Sequence, residues 1–226
     1  MCGRYTLTLN NEEIKKAFNL EEAPAPFKPR YNIAPSQSVP VIFQNPNTGK
    51  CELQLFKWGL VPSWSKTSAP DYNTINARSE TIHSKPAFRK AFASQRCLVP
   101  ADSFFEWDHK SQPRQPMRIM NSDKSLMALA GIWDTWHGND NGEEMTLQSF
   151  TILTTKANEL LQPIHDRMPV IIEPKDYMSW LEINPPTLLP LLNLLRSYPS
   201  NNLMVYPISR AVNNPLNDTL ECTLAI

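Results

Sequence analysis

Cys97-Leu98-Val99-Pro100-Ala101-Asp102-Ser103-Phe104-Phe105-Glu106-Trp107-Asp108 holds two short apolar runs with Pro100-Ala101-Asp102 between them. The pattern predicts strands over 97–99 and 103–108, and the same rhythm continues through 116–120, 126–133 and 146–153. Polar turns separate these runs at short, regular spacing. That favours an antiparallel or barrel-like sheet over βαβ units.

Outward from this centre, 39–43 and 51–58 read as two strands joined through Asn45-Pro46-Asn47-Thr48-Gly49. Asn11-Glu12-Glu13 followed by Ile14, Ala17 and Phe18 predicts a capped amphipathic helix. Residues 21–30, with Pro24, Pro26 and Pro29, form an extended connection. Residues 59–77 read as irregular and carry Trp64, Tyr72 and Asn76. Pro86 opens a helix to about Ser94. Downstream, Thr154 or Thr155 caps a helix through Leu161, and Pro174 starts another that ends near Leu181. A leucine-rich helix over 188–195 is interrupted by Pro190, and 203–208 is a last strand. With no repeat, linker or composition break, the reading is one α+β domain over residues 1–226. Its core is an antiparallel, barrel-like β-sheet with flanking helices.

The 226 residues are enough to bury a sizeable core. Glycine is scarce at 6 and proline abundant at 21, which points to a loop-rich chain with locked turns. Lys+Arg and Asp+Glu are equal at 22 each, so a nucleic-acid site must be a local patch and not a global field. One such patch is Arg78, Lys85, Arg89, Lys90 and Arg96, against Glu80 alone. The four cysteines form no CxxC pair and no histidine pair has zinc spacing. Cys51, Cys97 and Cys222 therefore read as small apolar core residues. There is no signal-peptide pattern and no run approaching a membrane span, so a reduced, cytoplasmic monomer is expected.

The amino terminus, Met1-Cys2-Gly3-Arg4, carries a different kind of signal. Loss of Met1 leaves Cys2 with an α-amine and a thiol on adjacent carbons. The amine titrates near 7.7–8.0 as a reference value, so about a tenth of it is already nucleophilic at pH 7. The thiol is easily activated by a neighbouring positive charge such as Arg4. Such a terminus attacks an aldehyde through nitrogen and closes through sulfur to a thiazolidine, or serves as an acyl-transfer nucleophile. The plainer reading is a small residue at position two.

Three other stretches place polar groups where packing does not call for them. These are Asn76-Ala77-Arg78-Ser79-Glu80, Phe104-Phe105-Glu106-Trp107 and Ile164-His165-Asp166-Arg167-Met168-Pro169. Glu106 reads either as a functional carboxylate or as an ordinary outward-facing strand residue. His165 reads either as a reactive imidazole or as part of a surface loop held by an Asp166–Arg167 contact.

Taken together with Arg30-Tyr31-Asn32-Ile33-Ala34-Pro35, Trp58-Gly59-Leu60-Val61-Pro62-Ser63-Trp64 and Ser209-Arg210-Ala211-Val212-Asn213, these motifs resemble the SRAP family. Its members, the SOS response-associated peptidase-like proteins, sense abasic sites and crosslink to them. The resemblance implies that Cys2, exposed by removal of Met1, is the covalent nucleophile, with Asn76, Glu106 and His165 as its catalytic partners. It further implies that Arg4, Arg78 and Arg167 hold DNA phosphates, that Trp64 sits on a DNA-binding loop, and that Asn32 and Trp107 join the DNA-binding set. The position after Trp64, often bulky in relatives, is Ser65 here. The implied partner is single-stranded DNA with abasic sites, without metal or organic cofactor. By the same analogy His165 protonates the sugar ring oxygen, Glu106 shuttles protons at the amine and Asn76 orients the sugar or amine. Two rivals stay open: a thiol peptidase using the same residues, and a non-covalent single-strand binding module.

Overall fold

Strand pairing positions Asn32, Asn76, Arg78, Glu106, Trp107 and Arg167. A computed structural model describes residues 2–21, 27–69, 74–140 and 142–226. Met1, Pro24, Pro26 and Tyr72, all singled out in the sequence, lie outside the described residues. In chain order the strands are β1 (Tyr5–Leu7), β2 (Arg30–Ile33), β3 (Ser38–Gln44), β4 (Cys51–Trp58), β5 (Asn76–Arg78), β6 (Arg96–Ala101) and β7 (Ser103–Asp108). They continue with β8 (Gln115–Asn121), β9 (Met127–Asp140), β10 (Glu143–Lys156), β11 (Arg167–Pro169), β12 (Ile171–Ile172) and β13 (Leu203–Pro207). The α-helices are short: α1 (Asn11–Ala17), α2 (Arg89–Ser94), α3 (Tyr177–Leu181) and α4 (Leu189–Leu194).

Strands β10, β4, β3, β6 and β9 pair in that order, and β9 pairs back with β10, which closes a barrel. Closure leaves no free edge within the ring. Gly131 sits where β9 meets both neighbours, opposite Cys97 on one side and Ile152 on the other. A Cβ there would lie 2.7 Å from the Cys97 sulfur and 3.2 Å from the Thr151 carbonyl, so the close approach requires glycine. Phe43, Phe56 and Trp133 fill the barrel with ring centroids 5.1–5.3 Å apart. A second sheet runs β13-β8-β7-β1-β2. The two sheets share one run of chain, since only Asp102 separates β6 from β7. The Asp102 carboxylate accepts the Thr8 amide, and Thr6 Oγ1 lies 2.7 Å from Ser103 Oγ, pinning β1 to the crossing point.

The α+β class and the barrel-like core match the sequence reading. Several details differ. The residue that caps α1 is Asn10, not Asn11; its side chain accepts the Glu13 amide and Glu13 reaches back to the Asn10 amide. Thr154 and Thr155 cap no helix. They continue β10, because β5 pairs with residues 152–154 and β11 with 154–156, and this pairing overrides their capping tendency. Asn158 instead starts a turn, its side chain accepting the Leu161 amide. α2 begins only at Arg89, after a turn in which the Phe88 and Arg89 amides both donate to the Lys85 carbonyl. The helix near Leu181 opens as a 3-10 turn, Pro174–Asp176, and Pro190 lies in the first turn of α4, where a missing N–H costs nothing. Arg96 leaves the basic patch. It is buried and donates to the carbonyls of Phe92, Trp180 and Glu182, and burial lowers its pKa to about 10.

Candidate active site

Strand pairing brings the amino terminus to Glu106. β1 runs antiparallel to β7 with Tyr5 opposite Phe104, and the Phe105 amide donates to the Arg4 carbonyl at 3.0 Å. Three residues before β1, Cys2 lies within electrostatic reach of Glu106. Side chains alternate along a strand. Phe104 therefore packs into the main core, with Glu106 two residues on, while Phe105 packs against Ile208, Val212 and Cys222 with Trp107 beside them. Asn76 arrives from β5, which lies parallel to β10, and its Nδ2 donates to the Cys2 carbonyl at 2.9 Å.

Burial dominates the electrostatics here. Cys2 has no exposed surface, and burial pushes its thiol well above the ordinary cysteine range, with the charge of Glu106 adding to the effect. The expected activation by Arg4 is not found. Arg4 instead donates to Asn32 Oδ1 at 2.7 Å and to the Val212 carbonyl at 2.6 Å, and its guanidinium lies 5.9 Å from the Trp107 ring centre. Glu106 is 3 % exposed, and burial raises its pKa to about 7. A carboxyl poised at that value is suited to both giving and taking a proton near neutrality. The outward-facing alternative for Glu106 therefore falls.

His165 is mostly buried, and burial holds its pKa below the ordinary value. Its Nδ1 accepts the Arg167 amide at 2.9 Å, which places the proton of the neutral ring on Nε2. Asp166 Oδ1 lies at the same 2.9 Å from Nδ1, a contact that becomes favourable only on protonation. With the ring held neutral, the amide bond is the one that governs the tautomer. The ring of His109, at the end of β7, meets His165 edge-on at 4.9 Å. Sequence reading missed His109, and a lone histidine in a turn carries no signal that would have found it.

The expected DNA-binding residues divide into two groups. Arg167 is 8 % exposed and bidentate to Glu80 at 2.6 and 2.9 Å, with a further bond to the Thr154 carbonyl. Asn32 is fully buried, its Nδ2 donating to the carbonyls of Val212, Asn214 and Asn217. Trp107 donates to Asn213 Oδ1 at 2.7 Å. These three hold protein to protein. Trp64 is 64 % exposed and Arg78 is exposed, with no side-chain hydrogen bond to Arg78 among the described residues.

A family model described as SOS response associated peptidase (SRAP) matches residues 1–215. The chain belongs to the SRAP family. Among its relatives, the abasic site processing protein YoqW of Bacillus subtilis (strain 168) is 39% identical over 226 residues, covering 98% of each chain. The abasic site processing protein HMCES of Xenopus tropicalis is 30% identical, covering 100% of this chain and 78% of its own. A crystal structure from Bacteroides thetaiotaomicron superposes with a TM-score of 0.86 at 25% identity over 100% of both chains. The SRAP match takes in every candidate residue from Cys2 to Arg167. Asp218 lies beyond it, although its carboxylate binds Arg30 and accepts the Tyr31 and Asn32 amides.

Proposed function

We propose that this protein recognises abasic sites in single-stranded DNA and captures them covalently through Cys2 once Met1 is removed. The observation that carries the reading is the setting of Cys2: buried, held through its carbonyl by Asn76, and in the field of a carboxyl that titrates near 7. That relatives are named abasic site processing proteins supports it.

The chemistry follows from the groups present. The imidazolium form of His165 gives a proton to the ring oxygen as the bond from C1′ to that oxygen breaks, and the C1′ hydroxyl returns its own proton to the imidazole as it becomes the aldehyde. The Cys2 amine adds to C1′, and the carbinolamine loses its hydroxyl as water with a proton from Glu106, giving an imine. The thiol then adds across C=N, sulfur bonding to carbon and its proton passing to nitrogen. One water leaves in all. A buried thiol held in its neutral form suits this last step, which needs no free thiolate at rest. Arg78 and Trp64 serve as the exposed phosphate and base contacts, while Arg167, Asn32 and Trp107 act as positioning residues.

Denaturing electrophoresis with an abasic oligonucleotide tests the proposal. A heat-stable shifted band is expected from the chain starting at Cys2 and not from one that keeps Met1. The family description keeps a peptidase reading in view, and peptide hydrolysis without any shifted band would favour it.

A further inference from the structure

Beyond the reacting cluster, an open groove runs between the segment 79–83 and the carboxyl-terminal end of α4. Its rim carries His83, Lys156 and Arg196, and its floor includes Leu192 and Leu195. The three side chains are exposed and accept no acidic partner among the described residues. Glu80 also lines the groove, but both its oxygens are on Arg167, so its charge is already matched. Glu173 lies within electrostatic reach of Arg196, but its carboxylate is ion-paired with Lys175 at 2.6 Å. The groove is braced: Ser197 Oγ donates to the Lys156 carbonyl at 2.7 Å and Thr155 Oγ1 to the Leu195 carbonyl at 3.4 Å. Lys85, Arg89 and Lys90, all exposed, follow directly in the chain.

Its position ties the groove to the site. Asn76 and Arg78 lie two apart on β5, so they share a face of the strand. Asn76 bonds Cys2, Arg78 is exposed, and the next residues, Ser79 and Glu80, already line the groove. A polyanion engaged at Cys2 and Arg78 thus meets His83, Lys156 and Arg196 next. In a chain with equal numbers of acidic and basic residues, Lys156 and Arg196 make this a local concentration of positive charge, with the His83 imidazole beside it.

We propose that this groove takes the phosphodiester backbone of the strand flanking the captured nucleotide. The inference rests on the proposed reading of the Cys2 site. Its apolar floor suits sugar and base edges, and its rim supplies about two to three phosphate contacts without sequence preference. The groove therefore extends the binding footprint beyond the lesion and sets how much DNA the protein covers.

The test uses intact, lesion-free thymidine oligonucleotides of about 4 and about 16 nucleotides, near the ends of the range that single-strand grooves span. Fluorescence anisotropy follows their binding to the full chain across a salt series. In the double variant Lys156→Gln with Arg196→Gln, the slope of log affinity against log salt for the long oligonucleotide should flatten by about 1.4. Binding of the short one at the Cys2 site should not change. A second double variant, Lys16→Gln with Lys124→Gln, removes the same charge elsewhere and should keep the wild-type slope. An unchanged slope in the groove variant, or an equal loss in the control, overturns the proposal. Because these probes contain no abasic site, failure of covalent capture would sink the reading of Cys2 while leaving the groove measurement intact.

Discussion

The buried cluster at Cys2 and the exposed Arg78 meet at β5, whose Asn76 holds the Cys2 carbonyl two residues before Arg78, yet opposite physics governs them. Around Cys2, water is excluded, and burial moves the Cys2 thiol, Glu106 and His165 away from their ordinary titration in the direction that favours their neutral forms. Around Arg78 and Trp64, water is present, and charge works at a distance that salt screens. Arg167 stands between them. It looks like a phosphate ligand in sequence, but it is spent on Glu80 and the Thr154 carbonyl, and so fixes the 165–167 segment against β5 and β10. On the proposed reading, dry surroundings tune reactivity and wet surroundings supply affinity. Substitutions in the two regions should therefore fail in different ways.

The largest expected effect is at Cys2. Cys2→Ala keeps the amine but loses the sulfur, so only a labile imine forms and the heat-stable adduct disappears, while binding to lesion-free single strands persists. Recovery of a heat-stable adduct at wild-type yield would erase the distinction between the two regions. At Glu106, Glu106→Gln should slow adduct formation by about 10²–10⁴-fold, measured as a single-turnover rate.

The same substitution has a stability consequence with a definite sign. The folded-state pKa of Glu106 is raised from 4.5 to about 7, so across that window the folded chain holds a proton that the unfolded chain has lost. Stability is then full at acid pH and declines as pH rises through 7. Glu106→Gln removes that decline. Urea unfolding should show the variant and wild type alike near pH 4, and the variant more stable at pH 8 by on the order of 1–3 kcal/mol. A variant less stable than wild type at pH 8 would mean the carboxylate is welcomed by its surroundings and not penalised.

Smaller effects sharpen the same contrast. Arg167→Ala breaks a bidentate pair whose carboxylate partner is 43 % exposed, so a loss of about 1–2 kcal/mol in unfolding free energy is expected. Arg78→Ala should leave unfolding unchanged and reduce the salt slope of single-strand binding by about 0.7. If Arg167→Ala instead behaves like Arg78→Ala, with stability intact and the slope reduced, the pairing with Glu80 yields to DNA and Arg167 belongs to the rim.

Strands were legible in the sequence where a short apolar run lies between polar turns. The run read over 103–108 is β7 of the second sheet and the run read over 51–58 is β4 of the barrel, each end to end. The predicted strands at 126–133 and 146–153 stop short, because β9 and β10 run on to Asp140 and back from Glu143 as a mostly polar ribbon outside the core. Polar residues there give no apolar pattern to read. Three-residue strands such as β5 and β11 exist only through their pairing with β10 and have no periodicity of their own. The candidate site residues were named through family resemblance, whereas their electrostatics were not legible in the sequence. Arg4 stands two positions from Cys2, but its partners at Val212 and Asn213 are more than two hundred residues away in the chain. Local reading therefore assigned it to the thiol. Arg96 misled for the same reason, since nothing near it in sequence reveals the carbonyls of Trp180 and Glu182.

Intact mass spectrometry of the conjugate, with and without borohydride, decides whether Cys2 closes a ring with an abasic aldehyde. Ring closure predicts a mass equal to protein lacking Met1 plus oligonucleotide minus one water. It also predicts no gain of hydrogen on borohydride treatment, because a thiazolidine has no C=N bond to reduce, and a modified peptide that begins at Cys2. A conjugate that gains two hydrogens, that maps to another residue, or that forms equally on a chain retaining Met1 would contradict it.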